Sequence, residues 1–229
     1  MALLATYASD GAPNPWFSWS YVRDNSDAIL AATRQHVTLT LQAVLIAVVV
    51  AFPLALLARR FTPLATPILG LSGVIYTIPS LAMFAFLAPY TGTLSARTVL
   101  VGLVLYALVI LVRNFLVGLQ GVPEDVREAA RGMGYGAGRM LWRVELPIAV
   151  PAMMAGIRIA TVSTVALATV GVINGNGGLG QLIFEGFNNN FYRAEIVTGS
   201  VLCVALALVA DGALAGLTRA LAPWNRRRG

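Results

Sequence analysis

Charge, cysteine, histidine and lysine are all scarce in this chain. Charged side chains account for 11% of the 229 residues and hydrophobic ones for 58%, whereas a soluble globular domain averages about 25% charged residues. The mean hydropathy is +0.76. This composition excludes an ordinary soluble domain and predicts an integral membrane protein.

The scarcity of reactive side chains excludes several kinds of site. Cys203 is the only cysteine, so the chain cannot form an internal disulfide or a CxxC pair. His36, the only histidine, lies at the edge of the first apolar run, where an interfacial role is favoured over a metal ligand or a pH switch. The apolar runs contain no Ser/His, paired-Asp or HExxH constellation, and the chain has no GxxxxGK(S/T) motif. We therefore predict no catalytic residue, no bound metal and no ATP site in this chain.

Five segments are long and apolar enough to cross a bilayer. We predict helices at about 37–58, 64–88, 98–119, 150–172 and 196–218, since the bilayer core needs about 20 helical residues. The second lies in a charge-free stretch that holds four prolines and ends in a predicted external turn. These spans predict an all-α membrane protein with five transmembrane helices.

Arginine supplies all 16 basic residues and sets the predicted topology. Five spans place the termini on opposite sides, and short cytoplasmic loops are enriched in basic residues. With the N-terminus outside, the inner loops and tail hold most arginines: Arg59, Arg60, Arg127, Arg131, Arg139, Arg143, Arg219, Arg226, Arg227 and Arg228, against Arg23, Arg34, Arg97 and Arg193 outside. We therefore predict an external N-terminus and a cytoplasmic C-terminus, and we attribute the net charge of +6 to topology rather than to nucleic-acid binding.

The two ends that flank the spans differ in composition. Residues 1–34 are predicted to form an external interfacial segment. Its aromatic side chains Trp16, Phe17, Trp19 and Tyr21 suit a membrane-interface belt better than a ligand cage. Residues 219–229 are predicted to form a cytoplasmic Arg-rich tail.

A charged, glycine-rich segment, residues 121–147, interrupts the apolar runs on the predicted cytoplasmic side. Pro123 suits the start of a short helix, and the acids after it suit the positive helix N-terminus. The glycines that follow predict a bend before a second short helix. The first short helix carries small side chains, Ala129 and Ala130, flanked by charges. Because the segment contains no His, Cys, Ser or Thr, we interpret it as a docking element for a soluble partner rather than a catalytic loop or an ordinary interfacial loop.

A spaced motif runs through this segment: Glu-Ala-Ala, three residues, Gly, nine residues, an aliphatic residue, one residue, then Leu-Pro. Its members are Glu128, Ala129, Ala130, Gly134, Val144, Leu146 and Pro147. The motif resembles the cytoplasmic signature loop of ABC importer permeases, with Val144 in place of the commoner isoleucine. The resemblance implies that residues 121–147 form a coupling loop that docks into a groove on an ATPase subunit.

Longer stretches resemble permeases for glycine betaine, carnitine, choline and proline, which import osmoprotectants. They are "YTIPSLAMFAFLAP" (76–89), "LYALVILVRNFLVGLQGVP" (105–123), "RVELPIAVPAMMAGIRIATV" (143–162) and "NGGLGQLIFEG" (176–186). The resemblance implies a type I ABC importer permease fold over residues 35–218, in a multi-pass protein of the bacterial inner membrane. It also implies ABC ATPase subunits that bind ATP and Mg, an external solute-binding protein, and a second permease half, homologous or identical.

Three other functions are open at this point. A permease of a methionine-type amino-acid importer also has five helices. A membrane scaffold that anchors a soluble protein needs a docking loop, but it does not need charges at matched depth in the membrane. An intramembrane enzyme needs one of the constellations that the apolar runs lack.

Three ionisable side chains fall inside the predicted spans: Arg113, Arg158 and Asp211. At 1.5 Å per residue, each lies roughly 10 Å from the predicted cytoplasmic end of its helix. An intramembrane charge is costly and usually finds a partner. We predict that Asp211 pairs with Arg158 or Arg113. The alternatives are that the arginines reach lipid phosphates, or that Asp211 meets a cationic substrate.

Aromatic side chains in the second and third predicted spans, among them Tyr76, Phe84 and Tyr106, offer ring faces to a quaternary ammonium along its path. Packing within the helices is the alternative. The predicted outer loop "NGNGGLG" (174–180) requires unusual backbone angles. It contacts a binding protein, forms an outer gate or makes a tight re-entrant turn, and the sequence does not rank these roles.

Overall fold

The computed structural model describes residues 14–93, 95–175 and 177–224, and within these ranges the chain forms helices and no β-strand. In chain order the helices are α1 (Trp19–Asp24), α2 (Ser26–Arg60), α3 (Thr62–Thr77), α4 (Ser80–Thr91), α5 (Ala96–Gln120), α6 (Glu124–Gly132), α7 (Ala137–Met140), α8 (Leu146–Val170), α9 (Leu179–Asn188) and α10 (Arg193–Leu221). A π-helical turn (Leu141–Glu145) joins α7 to α8, and a 3-10 turn (Gly171–Asn174) follows α8. The all-α prediction is confirmed. The Arg-rich end of the tail, part of the "NGNGGLG" loop and residues 1–13 lie outside the described residues.

Four stretches of helix are long and apolar enough to cross a membrane. They are α2, α5, the continuous stretch Ala137–Ile173 that contains α7 and α8, and α10. If the pair α3 and α4 is counted as one broken span, the number of candidate spans is five. The described residues thus contain four candidate spans, or five if the bent pair is one span, where the sequence predicts five.

The apolar segment predicted as one helix at about 64–88 is two helices, α3 and α4. They meet at Ile78 and Pro79 with a bend of 102°. Proline lacks a backbone N–H and forces the preceding residue out of the helical region, and Ile78 accordingly has φ −70° and ψ 123°. The Ile78 carbonyl accepts a hydrogen bond from the Tyr106 hydroxyl, so the backbone group freed at the break has a partner.

The long helices extend beyond their apolar runs. α2 begins at Ser26 rather than near residue 37, and α10 runs from Arg193 to Leu221. No glycine or proline interrupts the polar start of α2, and Asp27 in its first turn suits the helix N-terminus. Helix therefore continues past the residues that the bilayer core requires.

The described chain divides into two compact units, and the second comprises residues 44–78, 104–162 and 210–224. Its core is a stripe of small side chains on α2 packed with large ones from α5 and small ones from α8. The buried members include Ala47, Ala51, Ala55 and Ala58 of α2, Leu111, Phe115 and Leu119 of α5, and Ala149 and Ala160 of α8. Small residues at helical spacing let helix backbones approach closely, which is how helices associate in lipid.

The first unit comprises the described residues up to 43 together with 79–103 and 163–209, and it holds the start of α9 firmly. The side-chain oxygen of Gln35 accepts from the Gly178 N–H at 3.1 Å, and Nδ1 of His36 accepts from the Leu179 N–H at 3.3 Å. Nε2 of His36 lies 3.1 Å from the Val165 carbonyl. This arrangement requires the neutral ring with its proton on Nε2. His36 is 1% exposed, so it is a buried link between α2, α8 and α9 within the first unit.

The first turn of α9 packs so closely that it requires glycine. A Cβ at Gly180 would lie 2.2 Å from the Thr169 carbonyl oxygen, a backbone atom. We expect Gly180→Ala to lower the free energy of unfolding by about 1–3 kcal/mol, because the clash cannot be relieved by a side-chain rotation. Thermal unfolding of the purified full chain in detergent measures it.

The matched control is Gly73→Ala in α3, where a Cβ would meet nothing within 4 Å. Alanine there should raise stability by about 0.5–1 kcal/mol through its better helix propensity. If both substitutions raise the unfolding temperature, the close contact of α9 with Thr169 is wrong.

Candidate functional site

The segment predicted to dock a partner is built around α6. Pro123 precedes the helix with an extended backbone, and Glu124 and Asp125 fill the first turn, where acidic side chains stabilise the helix N-terminus. The helix closes at Gly134, which has φ +79° and donates its N–H to the Arg131 carbonyl at 2.9 Å. Glycine adopts this left-handed backbone conformation without strain, which explains why the motif has a glycine at this position.

One side of α6 is open along its whole length. Asp125, Glu128, Ala129, Gly132 and Met133 are all exposed and follow the spacing i, i+3, i+4, i+7 and i+8 that places side chains on one face of a helix. We call these five residues the exposed stripe. It presents two carboxylates and two small residues on a helix of 9 residues, and the flexible thioether of Met133 directly after it.

The structure separates the two alanines of the motif. Ala129 belongs to the exposed stripe, whereas Ala130 is 2% exposed, and so it is not presented for docking as the sequence suggested. Of the other motif residues, Glu128 and Gly134 are exposed, and Val144, Leu146 and Pro147 are half-buried in the turn and helix that lead into α8. The motif therefore mixes residues that a partner can reach with residues that position them.

Glu145 joins α6 to the ends of neighbouring helices, and sequence reasoning missed it. The residue is 4% exposed, and its carboxylate accepts hydrogen bonds from Nη1 and Nη2 of Arg59, the penultimate residue of α2. Nε of Arg127, on α6, lies 3.2 Å from Oε1 of the same carboxylate. We call Arg59, Arg127 and Glu145 the Glu145 cluster. The one feature of the sequence that could have pointed to Glu145 is its position as an acid next to the Leu-Pro pair in an Arg-rich stretch.

Arg127 makes further contacts from the Glu145 cluster. It donates from Nη2 to the Leu119 carbonyl at the end of α5, at 2.8 Å, and from Nη1 to Glu124 at 2.9 Å. Arg131 donates to the other oxygen of Glu124 at 3.0 Å. The end of α2, the end of α5, α6 and the turn before α8 are thus bonded into one charged network.

Hydrogen bonds from Arg127 hold the pKa of the Glu124 carboxyl below its ordinary value, with further lowering from the charge of Arg131. A depressed carboxyl pKa contributes stability above the ordinary value, and that stability is lost as the pH falls through the depressed value. The Glu124 contacts are therefore complete at neutral pH and fail only in acid.

The intramembrane charges form a pair between α8 and α10. Arg158 donates to both carboxylate oxygens of Asp211, at 2.8 and 2.7 Å. The fork geometry makes this the strong form of such a contact. Arg113 is exposed on α5, and among the described residues it has no recorded acidic partner, so the structure selects Arg158 from the two partners that the sequence left open.

Removal of one member of the Arg158–Asp211 pair should destabilise the protein. Both side chains are 37% exposed, and both lie in helices long and apolar enough to cross a membrane. We expect Asp211→Ala to lower the free energy of unfolding, because an unpaired arginine remains in the membrane. Unfolding in mixed micelles of increasing denaturing detergent measures it.

Two controls isolate the charge effect at this pair. The double substitution Asp211→Ala with Arg158→Leu should recover most of the loss, and Arg113→Leu, which removes an arginine without a recorded acidic partner, should cause none. If the single and double variants unfold alike, the pair does not contribute in the way proposed.

Of the aromatic residues predicted on the path, the structure brings two together. The rings of Tyr76 and Tyr106 meet edge to face with their centroids 6.4 Å apart. Tyr76 is 58% exposed and Tyr106 5% exposed. Phe84 is completely buried in the first unit against Gly102, so it is a packing residue and offers no open ring face.

No group of three or more metal-ligating side chains (His, Cys, Asp or Glu) comes together among the described residues. The features that remain for function are the exposed stripe, the charged network behind it, the Arg158–Asp211 pair and the Tyr76–Tyr106 pair at the helix break.

Comparison with known proteins covers nearly the whole chain. The family described as binding-protein-dependent transport system inner membrane component matches residues 43–227. The chain is 37% identical to the carnitine transport permease protein OpuCB of Listeria monocytogenes over 207 residues, which are 89% of this chain and 93% of the relative. It is 36% identical to the choline transport system permease protein OpuBB of Bacillus subtilis, over 91% of this chain and 95% of the relative. It is 35% identical to the osmoprotectant import permease protein OsmW of Salmonella typhimurium, over 90% and 98%.

Solved structures share the fold at lower identity. A crystal form of the MetNI methionine ABC transporter in inward-facing conformations superposes with a TM-score of 0.77 at 20% identity, covering 84% of this chain and 95% of that one. An amino acid ABC transporter crystallised with histidines superposes with a TM-score of 0.69 at 16% identity, covering 88% and 98%. The helices described above are therefore arranged as in ABC importer permeases.

Proposed function

Because the chain belongs to the family of binding-protein-dependent transport system inner membrane components, we propose that it is the permease subunit of an ATP-driven importer of osmoprotectants of the carnitine, choline and glycine betaine type. The chain is a subunit of a bacterial inner-membrane transport system and not itself an enzyme. The observation that carries the choice of solute is the identity of 32–37% to several permeases named for these quaternary amines, over most of each chain. Residues 35–218 form the transporter domain in this proposal.

The exposed stripe is the surface that meets the ATPase in this proposal. With the N-terminus outside, as the distribution of arginine favours, α6 lies on the cytoplasmic side. Its small residues, Ala129 and Gly132, allow a partner backbone to approach closely, and its carboxylates at Asp125 and Glu128 call for a groove with basic side chains. ATP and Mg bind the partner ATPase, since this chain has no phosphate-binding loop.

The charged network transmits a movement of α6 to the membrane-spanning helices. Arg127 and Glu145 bond α6 to the ends of α2 and α5 and to the start of α8. A tilt of α6 on ATP binding therefore tilts these helices with it, which is how alternating access by rigid-body motion operates. An external binding protein delivers the solute, and a second permease half, homologous or identical, completes the path.

The break between α3 and α4 supplies a place on the solute path. Transporters commonly place their solute near broken helices, where irregular backbone lines a cavity. Tyr76, one residue before Thr77 at the end of α3, is open and rests against Tyr106. The aromatic faces of this pair suit a quaternary ammonium by cation–π attraction.

Reconstituted uptake tests the proposed solute class. The full chain is incorporated into proteoliposomes with its ATPase and binding protein, with ATP enclosed, and is offered labelled glycine betaine, choline, carnitine, proline and methionine. ATP-dependent uptake of quaternary amines with no uptake of methionine is expected. Uptake of methionine alone would place the chain with the methionine-type importers, and an ATPase that binds without any transport would favour a scaffold.

A further inference from the structure

A pocket of about 600 Å³ opens in the second unit between the end of α2 and the segment around α7. We call its apolar lining residues the floor and its charged lining residues the rim. The apolar lining consists of Leu56, Ala137, Met140 and Leu141, and the charged lining of Arg59, Arg60, Arg131 and Glu145, with Tyr135 and Gly138 completing the wall.

The rim carries more positive than negative charge. Three guanidinium groups face one carboxylate, and Arg59 is already bonded to that carboxylate. Arg131 shares the exposed Glu124 with Arg127, while the contact recorded for Arg60 is the ring of Phe61, at 5.9 Å. Arg60, which has no acidic partner among the described residues, and Arg131, whose partner Glu124 is 53% exposed, are therefore the cations best placed to meet an anion in this pocket.

The pocket also lies where a membrane-spanning helix ends. α2 passes from apolar residues to Arg59 and Arg60 at its last turn, which is the level of the lipid headgroups. Trp142, next to the lining residue Leu141, is 66% exposed and packs near Phe52 with ring centroids 6.4 Å apart. Exposed tryptophan at this level is typical of the bilayer interface.

We propose that this pocket binds the phosphate headgroup of an anionic phospholipid. Arg60 and Arg131 contact the phosphate, and the glycerol and upper acyl chain lie on Leu56 and Met140. Basic pockets at the ends of spans bind anionic headgroups by this combination of charge and apolar contact. Free phosphate shares the anionic chemistry but gains nothing from the apolar floor. The proposal concerns a lipid site and does not depend on the transported solute.

Lipid binding to the full chain tests the proposal directly. The chain is purified in a mild non-ionic detergent, delipidated, and titrated with dioleoyl-phosphatidylglycerol or with dioleoyl-phosphatidylcholine while native mass spectrometry counts bound lipids. The wild-type chain should bind phosphatidylglycerol with clear preference. Arg60→Gln should weaken phosphatidylglycerol binding roughly fivefold, the value for loss of one arginine near an anionic headgroup, and should leave phosphatidylcholine binding unchanged.

Matched variants separate the site from a general effect of charge. Arg97→Gln removes the same charge from an exposed position in the first unit and should leave the preference intact, while Arg60→Lys should retain most of it. An equal loss with Arg97→Gln, or no preference in the wild-type chain, overturns the proposal. So does displacement of the lipid by inorganic phosphate at equal concentration, which would identify a free-phosphate site. Displacement by the ATPase, with weaker ATPase binding in Arg60→Gln, would make the pocket part of that interface instead.

Discussion

Substitution of Glu145 by glutamine is expected to lower the free energy of unfolding by about 3 kcal/mol, the low end of the range for a broken buried ion pair. The carboxylate is 5% exposed, and its partners Arg59 and Arg127 are 22% and 16% exposed. Glutamine keeps the shape of the side chain but removes the carboxylate that Arg59 and Arg127 share, and leaves only the exposed Glu124 beside Arg127. Chemical or thermal unfolding of the purified full chain in detergent measures the loss.

The control for this prediction removes the same charge from an exposed acid of the same network. Glu124 is 53% exposed, and Glu124→Gln should change stability little, because exposed ion pairs are screened by water. Adding Arg59→Gln to Glu145→Gln should recover part of the loss by removing one of the stranded cations. Equal unfolding temperatures for the wild type and Glu145→Gln would show that the Glu145 cluster does not stabilise α6 against the spans.

Tryptophan in place of Ala129 is expected to weaken binding of the partner ATPase roughly 100-fold, which corresponds to about 2.7 kcal/mol at the centre of an interface. Ala129 lies in the middle of the exposed stripe and leaves room for a partner backbone. An indole ring at this exposed position holds the two surfaces apart. Co-purification with the ATPase and its titration by surface plasmon resonance measure the effect.

Ala96→Trp provides the matched control. Ala96 is exposed like Ala129, but it lies far from α6 in the sequence, at the start of α5 in the first unit. Both variants should unfold at the wild-type temperature, and only Ala129→Trp should lose the ATPase and ATP-dependent uptake together. If Ala129→Trp retains both, the ATPase docks elsewhere on the chain.

Sequence reasoning found the features that depend on counting residues along each helix. Asp211 and Arg158 were candidates for pairing because residue counting placed them at similar depth, and helical geometry converts counts into depth reliably. The exposed side of α6 was foreseen only in part. Composition shows that Ala129 and Ala130 are small, but only the packed structure decides which of two neighbouring small residues faces inward.

Features that depend on contacts between distant residues were out of reach. Glu145 is separated from Arg59 by 86 residues, and nothing local to either marks a buried pair. The break at Pro79 was hidden for a different reason. Pro67 and Pro89 lie inside α3 and α4 without ending them, so the presence of proline alone does not reveal which one separates two helices.

The π-helical turn at Leu141–Glu145 has a consequence for how α6 is held. Met140 and Glu145, five residues apart, are both buried. In an α-helix, residues five apart point about 140° away from each other, since each residue advances about 100°. Hydrogen bonds of the i to i+5 type bring them onto the same side. Rewinding this one turn to α geometry would rotate Glu145 away from Arg59 and Arg127 while leaving the helix unbroken. The number of residues between Gly134 and Val144 therefore sets the direction of the Glu145 side chain as well as its distance from α6. The ion pairs that hold α6 depend on that direction.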